Sequence, residues 1–163
     1  MMPARAAAIA LALAASIPAT AGNGYSPEAN YVLHCQGCHG ADGASKLPAS
    51  IPPLQQMGWF LGVPGGREYL AQVPGVAQAP IDDAELAELL NYTVRRYAAA
   101  TMTVPFRPYT AAEVARVRHG VEDIGGTRRR LVAAIFDRLG VRAWTAQVGD
   151  AGSGPGGASA AAD

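Results

Sequence analysis

Apolar residues recur at helical spacing in the second half of this chain. The clearest case runs from Asp82 to Tyr97, where Asp82 and Glu85 have the three-residue spacing of a capping box. One face of this segment is apolar at intervals of three and four residues, at Leu86, Leu89, Leu90, Thr93, Val94 and Tyr97. The pattern predicts a helix that buries this face.

Four further segments carry the signals of a helix. The first begins at Ser26-Pro27-Glu28 and runs toward Gln36, and the second runs from Arg67 to Val73. The third begins at the capping-box pattern Thr110–Glu113, and the fourth begins near Thr127 and ends at Gly140. The last of them is expected to bury one face made of Leu131, Val132, Ile135, Phe136 and Leu139.

The stretch from Gly37 to Gly66 is rich in glycine and proline, and we expect irregular loop there. A loop of this length is unusual in a compact domain unless it wraps around something. We find no convincing strand pattern anywhere in the chain. The predicted fold class is therefore all-α, with a long loop around a bound group.

The first 21 residues predict a signal peptide. Arg5 precedes an apolar run of 12 residues, Ala6 to Ile17, which is too short to span a bilayer. Ala19-Thr20-Ala21 has the small-x-small pattern of a cleavage site, which places the mature start near Gly22. A buried N-terminal helix or an uncleaved anchor is the alternative. We expect export, to the periplasm or a similar compartment, with no stable membrane insertion after cleavage.

Charge is balanced overall but uneven along the chain. Residues 22 to 93 include two basic and seven acidic side chains, whereas residues 94 to 163 include ten basic and six acidic ones. The basic residues lack interleaved aromatic ones, so the pattern does not indicate nucleic-acid binding. The asymmetry can orient a charged protein partner over the short range that physiological salt allows.

The chain has two cysteines, Cys35 and Cys38, and His39 follows directly. A disulfide between them would close a very small loop and would restrict the unfolded chain little. A redox-active pair is typical of a thioredoxin-like arrangement with strands, and a structural zinc site needs four protein ligands. These interpretations stay open beside a further one, the C-x-x-C-H signal for covalent haem attachment.

The spacing of this motif suits a porphyrin. Residues three apart lie on one face of a helical turn. The thiols of Cys35 and Cys38 can therefore add to the two vinyl groups on one side of the ring, and His39 can then reach the iron. Gly37 adds no side chain that would crowd the ring.

The surrounding residues resemble the class I c-type cytochromes over about residues 25 to 98. Tyr31 to Gly43 follows the family's opening, Y-x-x-x-C-x-x-C-H-x-x-D-G. The resemblance implies a cytochrome c-like domain around one covalent haem c, held by Cys35 and Cys38, with His39 as the proximal iron ligand. It also implies that the carbonyl of Pro53, in the pair Pro53-Leu54, orients His39 and fixes its tautomer.

The sixth iron ligand stays open. The family usually places its axial methionine in a Met-Pro pair just before the last helix, where this chain has Ala79-Pro80. Met57 and Met102 are the methionine candidates in the mature chain, although either can serve in ordinary packing. The other candidates are an open site, His34 or His119.

These expectations give four segments: a signal peptide (1–21), a cytochrome c domain (22–98), a C-terminal helical extension (99–145) and a disordered tail (146–163). The implied function is one-electron transfer from an exported dehydrogenase to a downstream cytochrome or oxidase. Such a protein is a carrier, or the electron-transfer subunit of an oxidoreductase, and not itself an enzyme. The alternative is a haem module with an open sixth position that binds or senses a small molecule.

Overall fold

The structure of the protein is a computed structural model that describes residues 22, 24–47, 50–120 and 123–141. These residues form helices and connecting segments, with no strand among them. The predicted all-α fold class is confirmed. The predicted signal peptide and disordered tail lie outside the described residues.

Eight α-helices and two short 3-10 turns follow one another in the described ranges. They are α1 (Pro27–His34), α2 (Gln36–His39), α3 (Met57–Leu61), α4 (Gly66–Gln72), α5 (Pro74–Ala77), α6 (Asp83–Tyr97), α7 (Ala111–Val117) and α8 (Ile124–Leu139), with 3-10 turns at Leu54–Gln56 and Ala99–Thr101. None of these helices is long and apolar enough to cross a membrane.

The helix ends follow the predicted capping residues. The Ser26 hydroxyl accepts a hydrogen bond from the Ala29 N–H at 3.2 Å at the start of α1. At the start of α6 the capping box is complete, since Asp82 accepts from the Glu85 N–H at 2.8 Å and Glu85 accepts from the Asp82 N–H at 3.3 Å. Gly140 ends α8 in the left-handed conformation that favours glycine.

Helix α6 lies at the centre of the described core. It packs against α1 on one side and α7 on another, while α8 covers α3 and α4. The residues of its predicted apolar face are all buried, as are Tyr31 of α1 and Ile135 of α8. Burial of these side chains removes apolar surface from water, which is the main favourable contribution to folding.

The residues that follow α6 pack back onto it. The Asn91 side-chain amide donates to the Tyr109 carbonyl at 3.0 Å and accepts from the Tyr109 N–H at 2.6 Å. Asn91 and Tyr109 are both buried. A buried backbone needs its hydrogen bonds satisfied, and here a side chain of α6 satisfies the backbone of Tyr109.

Arg118, at the end of α7, makes a second connection between the residues that follow α6 and earlier elements. Its side chain is 8% exposed. It donates to the carbonyls of Ala77 and Ile81, each at 2.9 Å, to that of Ala79, and to the Asp83 carboxylate at 3.1 Å. One buried guanidinium therefore holds the segment between α5 and α6.

The prediction of irregular loop from Gly37 to Gly66 is wrong in part. A 3-10 turn at Leu54–Gln56 and helix α3 lie within it. Pro53 and Gly62 stand at the two ends of this helical stretch, while Met57 and Phe60 inside it are buried. Pro53 and Gly62 therefore mark the boundaries of this stretch, whereas Gly58 lies inside helix α3.

The capping box predicted at the start of α7 forms only in half. The Thr110 hydroxyl accepts from the Glu113 N–H at 3.2 Å. The Glu113 carboxylate turns inward and pairs with Arg67, through Nε–Oε1 at 2.5 Å and Nη2–Oε2 at 2.9 Å. Arg107 approaches the same carboxylate at 3.0 Å. Two guanidinium groups outcompete one backbone N–H because charge-assisted hydrogen bonds are stronger than neutral ones.

The last helix also differs from its prediction. It begins at Ile124, where the Asp123 side chain accepts from the Gly126 N–H at 2.7 Å, and not near Thr127. Phe136 was expected on the buried face but is 47% exposed. Leu131 and Ile135, four residues apart, are the buried side chains of this helix, which packs on α3 and α4, and Phe136 lies one helical position farther round.

Candidate functional site

The cysteine motif lies where α1 ends and α2 begins. The Cys35 carbonyl accepts hydrogen bonds from the Cys38 N–H at 3.2 Å and from the His39 N–H at 3.0 Å. These bonds wind residues 35 to 39 into a single helical turn, so the predicted spacing of two thiols and an imidazole is present in the fold.

The two thiols differ in their surroundings. Neither is in a disulfide; Cys35 is half-buried and Cys38 is exposed. Burial raises the pKa of the Cys35 thiol to about 11, and the neighbouring Cys38 adds to the effect. The Cys35 thiol is therefore protonated at neutral pH, as expected for a cysteine in apolar surroundings.

His39 is half-buried at the end of α2. Burial lowers the pKa of its imidazole, and an interaction with the Pro52 backbone acts in the opposite direction. Its Nδ1 is buried without a hydrogen bond of normal geometry in the described part of the chain. The proline whose backbone interacts with this ring is Pro52, one residue before Pro53, for which the resemblance implied this role.

Apolar side chains on both sides of the motif are exposed. Val32, Leu33 and Leu47 are 50%, 59% and 55% exposed, respectively. These exposed apolar side chains are available for contact with a bound group. The free thiols, the imidazole and this surface together fit a covalently bound haem.

Two tyrosine hydroxyls bind the backbone just after the motif. Tyr31 of α1 donates to the Gly40 carbonyl at 2.6 Å, and Tyr97 of α6 donates to the Ala41 carbonyl at 3.0 Å. The two rings also contact each other, with centroids 5.1 Å apart. The Tyr31 position is part of the motif's opening pattern. The hydrogen bond from Tyr97 joins residues 56 positions apart, and no pattern in the sequence indicates it.

The two candidate methionines lie on neighbouring backbone segments. A Cβ added to Gly58, which follows Met57, would come within 2.6 Å of the Met102 backbone nitrogen. Met57 is 7% exposed within the core, whereas Met102 is half-buried at the end of the 3-10 turn Ala99–Thr101. The two side chains therefore belong to the same region but differ in access.

The histidine candidates are placed differently from each other. His34 is half-buried, with Nε2 buried and without a hydrogen bond among the described residues. His119 is exposed, just after α7. Within the described ranges, no group of three or more His, Cys, Asp or Glu side chains is arranged to hold a metal ion.

Comparison with known proteins supports the sequence resemblance. No family model matches the chain. Two proteins named cytochrome c-552, both from Thermus thermophilus, are each 30% identical to it over 109 residues. The matched region covers 55% of this chain and 82% and 73% of these two relatives.

Proposed function

This chain belongs to the c-type cytochromes, which are electron carriers, and from that premise we propose that it is an exported class I cytochrome with one covalent haem c. The observation that carries the proposal is the single turn that presents the Cys35 and Cys38 thiols and the His39 imidazole side by side. When bound, the haem supplies reversible one-electron chemistry of its iron, and the protein supplies attachment, ligation and burial.

Cys35 and Cys38 would hold the haem through thioether bonds. Each thiol would add across one vinyl double bond, so that sulfur would bond to one carbon and the thiol proton would end on the other. The addition needs no oxidant and has no leaving group. It requires free thiols, and both cysteines are outside any disulfide.

His39 would bind the iron through Nε2, with Nδ1 directed at a proline carbonyl. A hydrogen bond from the second ring nitrogen fixes the tautomer and orientation of a metal-bound histidine. We assign this role to Pro52, because its backbone interacts with His39. Pro53, the residue implied by the family pattern, begins the following 3-10 turn as its N-cap.

Met102 is our proposed sixth ligand. Its side chain is half-buried at the end of a 3-10 turn and could contact a group bound beside it, whereas Met57 is enclosed in the core at 7% exposure. Methionine opposite histidine raises the reduction potential and suits electron transfer. If neither methionine binds the iron, the open position would suit binding or sensing of a small molecule.

We propose a dehydrogenase as electron donor and another cytochrome or an oxidase as acceptor, all outside the cytoplasm. The unequal charge of the two halves of the chain would orient these encounters. Export follows from the signal-like residues 1 to 21, and N-terminal sequencing of the exported protein should begin at Gly22.

Attachment is tested by producing the chain with a competent haem-attachment apparatus and measuring its mass and spectrum after denaturation. We expect the mass of the polypeptide plus one haem, and a colour that stays with the denatured chain. The variant with both Cys35→Ala and Cys38→Ala should lose the colour on denaturation, while the control Met57→Leu should keep it. A colourless wild-type protein with the bare polypeptide mass would refute the proposal.

The sixth ligand is tested with Met102→Leu and Met57→Leu in parallel. The weak red-end absorption band of the oxidised protein should disappear in Met102→Leu alone, and the reduced form of that variant should bind carbon monoxide rapidly. Loss of the band in Met57→Leu alone would move the assignment to Met57. High-spin features and rapid carbon monoxide binding in the wild type would favour the open-site alternative.

A further inference from the structure

The backbone that leaves the cysteine motif is held by two side chains from different helices. Tyr31 and Tyr97, hereafter the tyrosine pair, donate to the carbonyls of Gly40 and Ala41. These are the first two residues after His39; the hydrogen bond from Tyr31 spans nine residues and that from Tyr97 spans 56. The turn that carries the imidazole is thus fixed by α1 and α6 as well as by its own helical bonds.

The tyrosine pair is enclosed. Tyr31 is 2% exposed and Tyr97 is 9% exposed. Burial raises the pKa of the Tyr31 hydroxyl, and the adjacent Tyr97 hydroxyl adds to that effect, so Tyr31 is a neutral donor over the physiological range. A buried hydroxyl that loses its acceptor, or a buried carbonyl that loses its donor, carries a desolvation cost.

The loop that follows His39 packs closely against the Tyr97 ring. Gly43 has φ +72°, and a Cβ added there would lie 2.8 Å from Cδ1 of Tyr97. A side chain at this position would be strained and would displace the ring. The close approach keeps the Tyr97 hydroxyl within reach of Ala41.

The chain then returns to the motif itself. The Ser45 N–H donates to the His39 carbonyl at 3.0 Å, and the Lys46 N–H donates to the Cys38 carbonyl at 2.9 Å. Residues 40 to 46 therefore form a small closed loop. Its end is hydrogen-bonded to Cys38, which would form a thioether, and to His39, which would bind the iron. The hydroxyls of the tyrosine pair bind the start of this loop, and the N–H groups of Ser45 and Lys46 fix its end.

We propose that Tyr31 and Tyr97 are positioning residues that set the orientation in which the His39 imidazole meets the iron. The proposal rests on the proposed haem site. A ligand on a metal is oriented by its surrounding hydrogen bonds, and here the fixed element is the backbone immediately after the ligand. Without the hydroxyls, the carbonyls of Gly40 and Ala41 turn away, and the His39 end of the turn moves with them.

The experiment compares the haem-loaded proteins Tyr31→Phe, Tyr97→Phe and the double variant with wild type. Phenylalanine keeps the ring and removes only the hydroxyl. Tyr92→Phe is the matched control, since Tyr92 lies on the same helix as Tyr97 and its ring is 6.1 Å from that of Tyr31, but its hydroxyl lies beside Arg96. The measurements are the EPR g-values of the oxidised haem, amide hydrogen exchange and the midpoint of unfolding in denaturant.

We expect the g-values to shift in both single variants and to shift further in the double variant, with Tyr92→Phe like wild type. Exchange of the Ser45 and Lys46 amides should rise about tenfold in the single variants, as expected for loss of one hydrogen bond that holds the loop closed. A lower unfolding midpoint with unchanged g-values would mean that the hydroxyls only stabilise the fold, and would overturn the proposal.

Equal g-value shifts in Tyr92→Phe would also overturn it, because the effect would then belong to the aromatic cluster and not to the two hydrogen bonds. A wild-type protein that acquires no haem refutes the proposed function, and this inference with it. A wild-type protein that acquires haem, with variants that match it in every measurement, refutes the tyrosine inference alone.

Discussion

The buried carboxylate of Glu113 gives the sharpest quantitative prediction about this fold. Its side chain is 9% exposed and lies between the guanidinium groups of Arg67 and Arg107. The hydrogen bonds from Arg67 are the main reason that the pKa of Glu113 is lowered from its ordinary value of 4.5 to about 2; burial opposes them and Arg107 reinforces them.

A lowered pKa in the folded state means that folding favours the charged form. The stabilisation is complete above the unfolded pKa, near 4.5, and is lost as the pH falls through the folded value near 2. One unit of pKa corresponds to about 1.4 kcal/mol, so the pair stabilises the folded chain by about 3 kcal/mol at neutral pH. Protonated Glu113 resembles glutamine, which provides a direct comparison.

The assay is denaturant unfolding of the haem-loaded wild type and Glu113→Gln at several pH values between 7 and 2. At pH 7 the variant should unfold with a free energy about 3 kcal/mol below that of wild type. The difference should shrink below pH 5 and approach zero near pH 2. The exposed Glu88, changed to glutamine, is the control and should stay within about 0.5 kcal/mol of wild type. A difference that does not depend on pH would refute the charge argument.

Two further predictions concern packing and buried polar groups. In chemical denaturation, Gly66→Ala should lower the free energy of unfolding by about 2 kcal/mol or more, because the added Cβ would clash with the Phe60 backbone. The control Gly75→Ala should be neutral or slightly stabilising, because a Cβ at that position has no atom within 4 Å. In the same assay, Arg118→Met should lower the free energy of unfolding by about 3 kcal/mol, because it leaves buried carbonyls without donors. The control at the exposed Arg116, Arg116→Met, should lower it by less than about 0.5 kcal/mol. Equal costs within either pair of variants would contradict the corresponding contact.

Local signals in the sequence were sufficient for much of the fold. Ser26 and the Asp82–Glu85 box start their helices as predicted, and Gly140 ends one, because capping depends on residues within one turn. The haem motif is equally local, since its hydrogen bonds join residues three and four apart. Short-range geometry is what a single sequence encodes most directly.

Contacts between distant residues were not predictable in the same way. Glu113 carries a correct helix-start pattern, yet its carboxylate is taken by Arg67, 46 residues away. Phe136 has the spacing of a buried residue but lies beyond the neighbours that cover Ile135. In both cases the tertiary partner decides the outcome, and no pattern within one segment contains that partner.

The long reach of Tyr97 has a consequence for how the chain folds. Helical proteins usually fold fast because their contacts join nearby residues, but the hydrogen bond from Tyr97 to Ala41 spans 56 residues and that from Arg118 to Ala77 spans 41. The cysteine turn is local and can form early, whereas the hydroxyl that fixes its exit arrives only when α6 docks. We therefore expect an interval during folding in which the cysteine turn has formed but α6 has not yet docked. Both sulfurs would then be open to a porphyrin, and we expect thioether formation to be fastest in that interval.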